Sequence, residues 1–230
     1  MKFESSKFLA EWLCAIMNIF QSKRLIYVPT RDARYRDFLL GLMNEPGMRN
    51  SDDSLPVGFA AQNVNQLLEV LASRKLMSMY ICLLSNGSDD PVPVGAVSLS
   101  KPNEGQAQHA NSFLSVIIAA EHQRKGYGRE AVAWALDWAF DFARLHRIEI
   151  SAYSWNMGAK RLYNSIGFAD EGVKRECTWF MGGWHDRYEM AMLEHEWRGK
   201  WRAIADAGTW ASKDGQNHST EEIAKMMGST

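Results

Sequence analysis

The stretch 116–131, VIIAAEHQRKGYGREA, constrains the fold of this chain more than any other. Residues 110–120, ANSFLSVIIAA, read as a strand, and their continuously apolar end predicts one covered on both faces. The run passes into Gln123-Arg124-Lys125-Gly126-Tyr127-Gly128, and a helix begins. Gly126 and Gly128 remove side chains where the backbone must turn sharply or meet a ligand. The first turn of a helix carries free N–H groups and the positive end of the macrodipole. Together these make a cradle suited to phosphate. Arg124, Lys125 and Arg129 add positive charge beside it. Neither GxxxxGK[ST] nor GxGxxG is matched, which excludes a Walker loop and a dinucleotide fingerprint. Taken alone, the stretch also suits a plain strand-to-helix turn whose glycines serve geometry.

The cationic turn is a local feature. With 26 Lys+Arg against 27 Asp+Glu, the 230 residues carry a net charge of −1, which marks neither a nucleic-acid binder nor a polybasic membrane protein. A hydrophobic fraction of 46% is enough for one substantial core. Cys14, Cys82 and Cys177 are far apart and form no CxxC pair, so no zinc or dithiol site is written here and no metal is expected. Three lone thiols suit a reducing compartment, the cytoplasm. Residues 8–20, FLAEWLCAIMNIF, are apolar but interrupted by Glu11 and shorter than the ~20 residues of a membrane span. They read as part of an amphipathic helix over 1–21, and no membrane association is expected.

Around the turn, the patterning predicts strands at 23–28, 77–84, 92–100, 147–153, 173–181 and 185–193, the last two flanking Gly182-Gly183. Helices are expected from Arg31 to Met43 capped by Thr30, over 59–75, from Gly126 to Leu145, and from Asn156 to Ile166. Residues 44–58 read as a long loop. This is an α/β or α+β domain on one mixed sheet. In the second helix of interest, Asn156 is a good N-cap and Gly167 the expected residue past the end. Tyr163 falls seven residues after Asn156, two turns on, so both can face one cleft.

The two motifs together, Gln123-x-x-Gly126-x-Gly128 and Asn156-x-x-Ala159-x-x-x-Tyr163-x-x-x-Gly167-Phe168, resemble those of the GNAT superfamily of N-acetyltransferases. The resemblance covers about residues 22–197. Its closer branch is that of the ribosomal-protein N-terminal acetyltransferases, through the ending 172–193 and Glu196-Trp197. It implies a GNAT fold: a mixed, mostly antiparallel twisted sheet with a splayed central strand pair and flanking helices. It divides the chain into an N-terminal helix (1–21), the acetyltransferase domain (22–197) and a C-terminal extension (198–230). It also implies acetyl-CoA as co-substrate, an amine acceptor, and direct attack in a ternary complex.

By the same resemblance, the backbone of Val116, Ile117 and Ile118 pairs with the pantetheine arm. The amides of Gln123, Arg124, Lys125, Gly126, Tyr127 and Gly128, helped by Arg129, hold the pyrophosphate. Asn156 contacts the arm, Ala159 leaves room for it, and Tyr163 protonates the leaving thiolate. A strand amide near Ile118 is the donor for the developing oxyanion. The strand glutamate that many relatives use as a base falls here at about Phe113. Glu121 is expected to point to solvent, and His109, Glu176, His185 and Asp186 are candidates through a water. An acceptor amine of low pKa would need little help, which favours an α-amine, aryl amine or amino sugar over a lysine or polyamine. The acceptor pocket is expected between 44–58 and the last hairpin, with Asp52 and Asp53 as loop acids. Trp179 and Trp184 either line an aromatic pocket or pack under the hairpin. The competing reading is a non-catalytic acyl-CoA-binding regulatory module on the same fold. The apolar first helix and Trp-rich tail suggest a homodimer.

Overall fold

A computed structural model of the chain describes residues 19–45, 60, 63–83, 90–102 and 105–199. The expected helix over 1–21 lies outside them up to residue 18, and so do almost all of the 44–58 loop, Asp52, Asp53, Cys14 and the tail from residue 200. The described residues fall into two compact units. The first holds 19–45, 60, 63–83, 90–99 and 115–138, and the second holds 100–102, 105–114 and 139–199.

In the first unit, β1 (Leu25–Pro29) is built from β-branched and aromatic residues. It pairs antiparallel with β2 (Lys75–Leu83), from Leu25 opposite Leu83 to Pro29 opposite Met79. The helix expected from Arg31 starts later. Thr30 is buried and bonds the Ser78 carbonyl with its N–H (3.1 Å), so it is not the cap. Asp32 caps instead, accepting from the Arg34 N–H at 3.0 Å. A 3-10 turn (Ala33–Tyr35) then leads into α1 (Arg36–Asn44). The helix expected over 59–75 is α2 (Asn63–Arg74).

Met79, Tyr80, Ile81 and Cys82 are all buried, because both faces of β2 are covered. Tyr35, Leu39 and Val64 pack with Tyr80 and Cys82 on one face. On the other, Tyr27, opposite Ile81, stacks on Trp134 with centroids 3.6 Å apart. Trp134 lies on α3 (Tyr127–Asp137), which buries Ala131, Val132, Ala135 and Leu136 as well. The α-helical geometry ends at Asp137 rather than Leu145. A π turn (Trp138–Phe142) follows, Arg144 takes φ 54°, and the Leu145 N–H closes on the Ala139 carbonyl at 3.0 Å, releasing the chain into the next strand.

β3 (Val92–Ser100) and β4 (Asn111–Ile118) follow β2 in the sheet. In the second unit β4 runs parallel with β5 (Arg147–Tyr153) through Asn111–Arg147, Ser112–Ile148 and Phe113–Glu149. Ile148 and Ile150 are buried on one face, as their alternation predicts. After β5 come α4 (Met157–Ile166) and a hairpin of β6 (Ala169–Phe180) and β7 (Gly183–Leu193). β7 lies between β5 and β6 and is antiparallel to both. The strand order is β1-β2-β3-β4-β5-β7-β6. This is the mixed α/β architecture expected, with antiparallel pairing dominant and β4 parallel to β5.

The outer strand β6 is almost wholly exposed and is interrupted by two register shifts, devices that blunt an open sheet edge. The hairpin turn is Met181-Gly182, one residue earlier than expected, because Phe180 pairs with Gly183. Both turn residues have positive φ (46° and 84°), as a two-residue turn between twisted strands requires. Trp179 and Trp184 are each 60% exposed and meet edge to face at 5.3 Å, so the reading as core packing does not hold.

Two glycines give opposite expectations for stability. A Cβ at Gly95 would lie 2.3 Å from the Ile117 carbonyl oxygen, so Gly95→Ala should push β3 and β4 apart and cost about 1–3 kcal/mol. Gly41 is exposed in α1 with nothing within 4 Å of that position. Gly41→Ala should therefore stabilise by about 0.5–1 kcal/mol. Urea midpoints of the two variants should move in opposite directions.

Candidate functional site

The first unit contains the strand, turn and helix start singled out in the sequence. Val116, Ile117 and Ile118 close β4, and each is half-buried rather than fully covered. The Ala119 N–H bonds the Val94 carbonyl at 2.9 Å, and the Gln123 amide returns to the Ile118 carbonyl at 3.0 Å. A 3-10 turn (Ala120–His122) then lifts the chain out of the strand. Its first N–H is taken by the Glu45 carboxylate at 2.9 Å. Glu121 is 79% exposed and, among the described residues, pairs with its neighbour His122, as expected of a solvent-facing acid.

Gln123, Arg124, Lys125 and Gly126 are all exposed. Gly126 is the N-cap of α3 with φ 85°, a left-handed conformation that a side chain disfavours. Arg124 also has positive φ (62°), which is uncommon outside glycine and marks a backbone held in a specific shape. Gly128 is different. It is the second residue of α3, so its missing side chain clears space over the first helical turn rather than permitting a turn. The Gly126 carbonyl accepts from Glu130 at 3.3 Å, the start of the helical ladder. The N–H groups before that point have no partner within the helix. They lie among Arg124, Lys125 and Arg129, so the segment can hold an anion with backbone donors and local positive charge.

Behind this turn lies a second layer that no sequence pattern signals. Ser22 and Arg24 reach the Glu130 carboxylate, and Arg24 also bonds the Lys125 carbonyl. Residues 24 and 130 are 106 apart in sequence, and only the pairing of β1 alongside α3 brings them together.

The second unit contains the other group. Asn156 caps α4 through its side-chain oxygen, which accepts from the Ala159 N–H at 3.2 Å. The side-chain NH₂ of Asn156 has no partner among the described residues and remains a donor. Ala159 is half-buried in the first turn. Tyr163 is 7% exposed, with its ring 6.0 Å from that of Phe168. Burial pushes its phenol up to about 12. Its carbonyl accepts from both Gly167 (2.9 Å) and Phe168 (3.1 Å), and Gly167 takes φ 115° to end the helix.

The remaining candidate bases all lie in the second unit. Phe113 stands opposite Glu149, a carboxylate that the sequence reading overlooked, and Glu149 is bound to Arg147 at 3.0 Å. His185 Nδ1 lies 3.1 Å from the Ser154 hydroxyl, and its ring meets Trp155 edge-on at 4.8 Å. The Asp186 carboxylate accepts from the Glu176 N–H at 2.8 Å, at a bulge where Glu176 has φ 47°. His109 is exposed in a separate 3-10 turn (Ala107–His109). Among the described residues no cluster of His, Cys, Asp and Glu could hold a metal ion. No helix among them is long and apolar enough to cross a membrane.

Comparison with known proteins adds a second line of evidence. A family model described as "Acetyltransferase (GNAT) family" matches residues 54–168, half of the chain. The probable N-acetyltransferase YjcK of Bacillus subtilis is 29% identical over 177 residues, covering 74% of this chain and 94% of that protein. Spermidine N(1)-acetyltransferase of Vibrio cholerae is 34% identical over 89 residues, 39% of this chain and 51% of that protein. The putative ribosomal N-acetyltransferase YdaF of B. subtilis is 31% identical over 83 residues, 36% of this chain and 45% of that protein. The matches to these last two thus span about half of each relative. A crystal structure of the V. cholerae spermidine enzyme with CoA and spermine has a TM-score of 0.67 at 22% identity, covering 77% of this chain and 99% of that one. That likeness is one of fold.

The raised pKa of Tyr163 can be measured directly. In an ultraviolet titration, the difference between wild type and Tyr163→Phe should show one phenol that stays protonated past pH 10 and ionises near 12. A missing phenol titrating near 10 would contradict its burial.

Proposed function

Since the chain belongs to the GNAT acetyltransferase family and transfers an acetyl group from acetyl-CoA to an amine, we propose that it does so by direct attack in a ternary complex. The supporting observation is Gly126, held at φ 85° where an exposed cationic turn enters α3. In this reading the backbone of Val116, Ile117 and Ile118 pairs with the pantetheine arm. The amides from Gln123 to Gly128 take the pyrophosphate, with Arg124, Lys125 and Arg129 balancing its charge. Asn156 donates its side-chain NH₂ to the arm, and Ala159 leaves space for it.

Acetyl-CoA supplies the activated acyl group. The enzyme holds a neutral amine against it, which converts an encounter of two molecules into a local reaction. As the N–C bond forms and the C–S bond breaks, Tyr163 gives its proton to the departing sulfur, while the proton shed by the amine nitrogen passes to water and the phenol is restored from solvent. A phenol pushed up to about 12 by burial is fully protonated at neutral pH, as that role requires. The named N-acetyltransferase relatives favour this enzyme over a non-catalytic acyl-CoA-binding module.

For the acceptor we propose a primary amine of a small molecule or a protein N-terminus. Phe113 occupies the position of the usual strand base, and nearby Glu149 is tied to Arg147. An α-amine near ~8 loses its proton with less help than a polyamine nitrogen near ~10.4. This agrees with the ribosomal-protein branch and the similarity to YdaF. A polyamine is the second reading, carried by the similarity to the Vibrio spermidine enzyme. We also place the domain at 22–197 with 198–230 as an extension, the protein in the cytoplasm and its assembly as a homodimer. The free thiols of Cys82 and Cys177 support the compartment. The exposed Trp179, Met181 and Trp184 at the hairpin tip support self-association.

Thiol release from acetyl-CoA across N-terminal peptides, spermidine and amino sugars is the direct test. Release with at least one amine is expected, and release with none would overturn the reading. Gly126→Val should abolish CoA binding. Tyr163→Phe should lower kcat by about 10–100-fold with the KM for acetyl-CoA unchanged. In wild type, kcat should rise as the amine deprotonates and show no descending limb up to pH 10. A fall near that pH would mean that an ordinary phenol or another acid supplies the proton.

A further inference from the structure

Glu130 presents a problem for anion binding that the chain solves from a distant segment. Its carboxylate lies in the first turn of α3. Negative charge there stabilises the helix itself, but it competes for the same positive end that would draw a phosphate. Three donors from residues 22–24 converge on it. Ser22 Oγ donates to Oε1 at 2.8 Å, the Arg24 N–H to Oε1 at 2.6 Å, and Arg24 Nε to Oε2 at 2.7 Å. The Glu130 side chain is only 15% exposed, whereas that of Arg24 is 45% exposed.

The same guanidinium reaches the turn. Arg24 Nη1 donates to the Lys125 carbonyl at 3.0 Å, and Arg24 lies over the Tyr127 ring at 4.8 Å from its centroid. A Cβ at Gly126 would be 3.2 Å from Arg24 Nη2. The Lys125–Gly126 peptide is trans, so its C=O and N–H point to opposite sides. With the carbonyl held by Arg24, the Gly126 N–H is aimed away from that guanidinium.

We propose that Arg24 is a positioning residue for the co-substrate. It fixes the Lys125–Gly126 peptide and neutralises Glu130, so that the turn presents oriented amides and net positive charge to a diphosphate. This rests on the reading of residues 123–129 as the pyrophosphate cradle. Arginine suits the task because its planar fork can serve a carboxylate and a carbonyl at once. A lysine presents a single point charge.

The test is CoA affinity by calorimetry, with kcat, both KM values and the thermal midpoint measured beside it. Arg24→Met leaves Glu130 unpaired and the peptide unheld. CoA should bind about tenfold more weakly, while the acceptor KM and the kcat at saturating acetyl-CoA hold. Adding Glu130→Gln removes the stranded charge, and the double variant should recover to within about threefold of wild type. A merely structural contact predicts no such recovery. If Arg24→Met fails to fold, Arg24→Lys decides, with an expected loss of about threefold. The proposal is overturned if Arg24→Met, or Arg24→Lys in its place, binds CoA like wild type. It is also overturned if the double variant is no tighter than Arg24→Met, or if the acceptor KM rises in parallel. Gly126→Val separates the two claims. If it abolishes CoA binding while Arg24 variants are silent, only the role of Arg24 falls. If it binds CoA normally, the cradle reading beneath falls too.

Discussion

The left-handed turn at Gly126 sets the geometry that the strand, the helix start and the cationic side chains around it share. It lets β4 end and α3 begin with the helix N-terminus exposed and ringed by cationic residues. A helix start is a standing source of unpaired N–H donors. Here those donors sit in a cationic turn of a chain whose total charge is −1. The turn is supported from behind by the stacked Tyr27 and Trp134, which hold β1 and α3 together. Because Arg24 immediately precedes β1, the packing that builds the core also delivers its guanidinium to the turn.

The second unit solves a different problem. Asn156 and Gly167 define both ends of α4, so the helix is placed by its caps as much as by its burial. Tyr163 then sits two turns in, with a buried phenol and a carbonyl that closes the helix. The parallel ladder between β4 and β5 involves three residue pairs, although the strands run on to Ile118 and Tyr153.

Local rules made much of this legible. The extents of β3 and β5 and the ends of α4 follow from alternation, an N-cap and a helix-ending glycine, all short-range signals. The departures come from tertiary contacts. Thr30 looks like a cap until Ser78 takes its N–H and Asp32 replaces it. The helix after Gly126 would run to Leu145 on periodicity, yet the Ala139 carbonyl captures Leu145 and forces the exit. Trp179 and Trp184 carry no local sign of exposure, since it is decided by their pairing at the tip of the β6–β7 hairpin, beyond the last β5 pair at Tyr153–Arg187. The partnership of Arg24 and Glu130 has no sequence signal at all. Each residue alone reads as a solvated charge.

The central claim is that backbone donors at the strand-to-helix turn hold the diphosphate of CoA. Amide chemical shifts of ¹⁵N-labelled protein test it most directly, with CoA compared against pantetheine, which lacks the phosphates. CoA should move the amides of residues 124–129 most, and pantetheine should leave them in place. CoA binding that leaves those amides unshifted would contradict it.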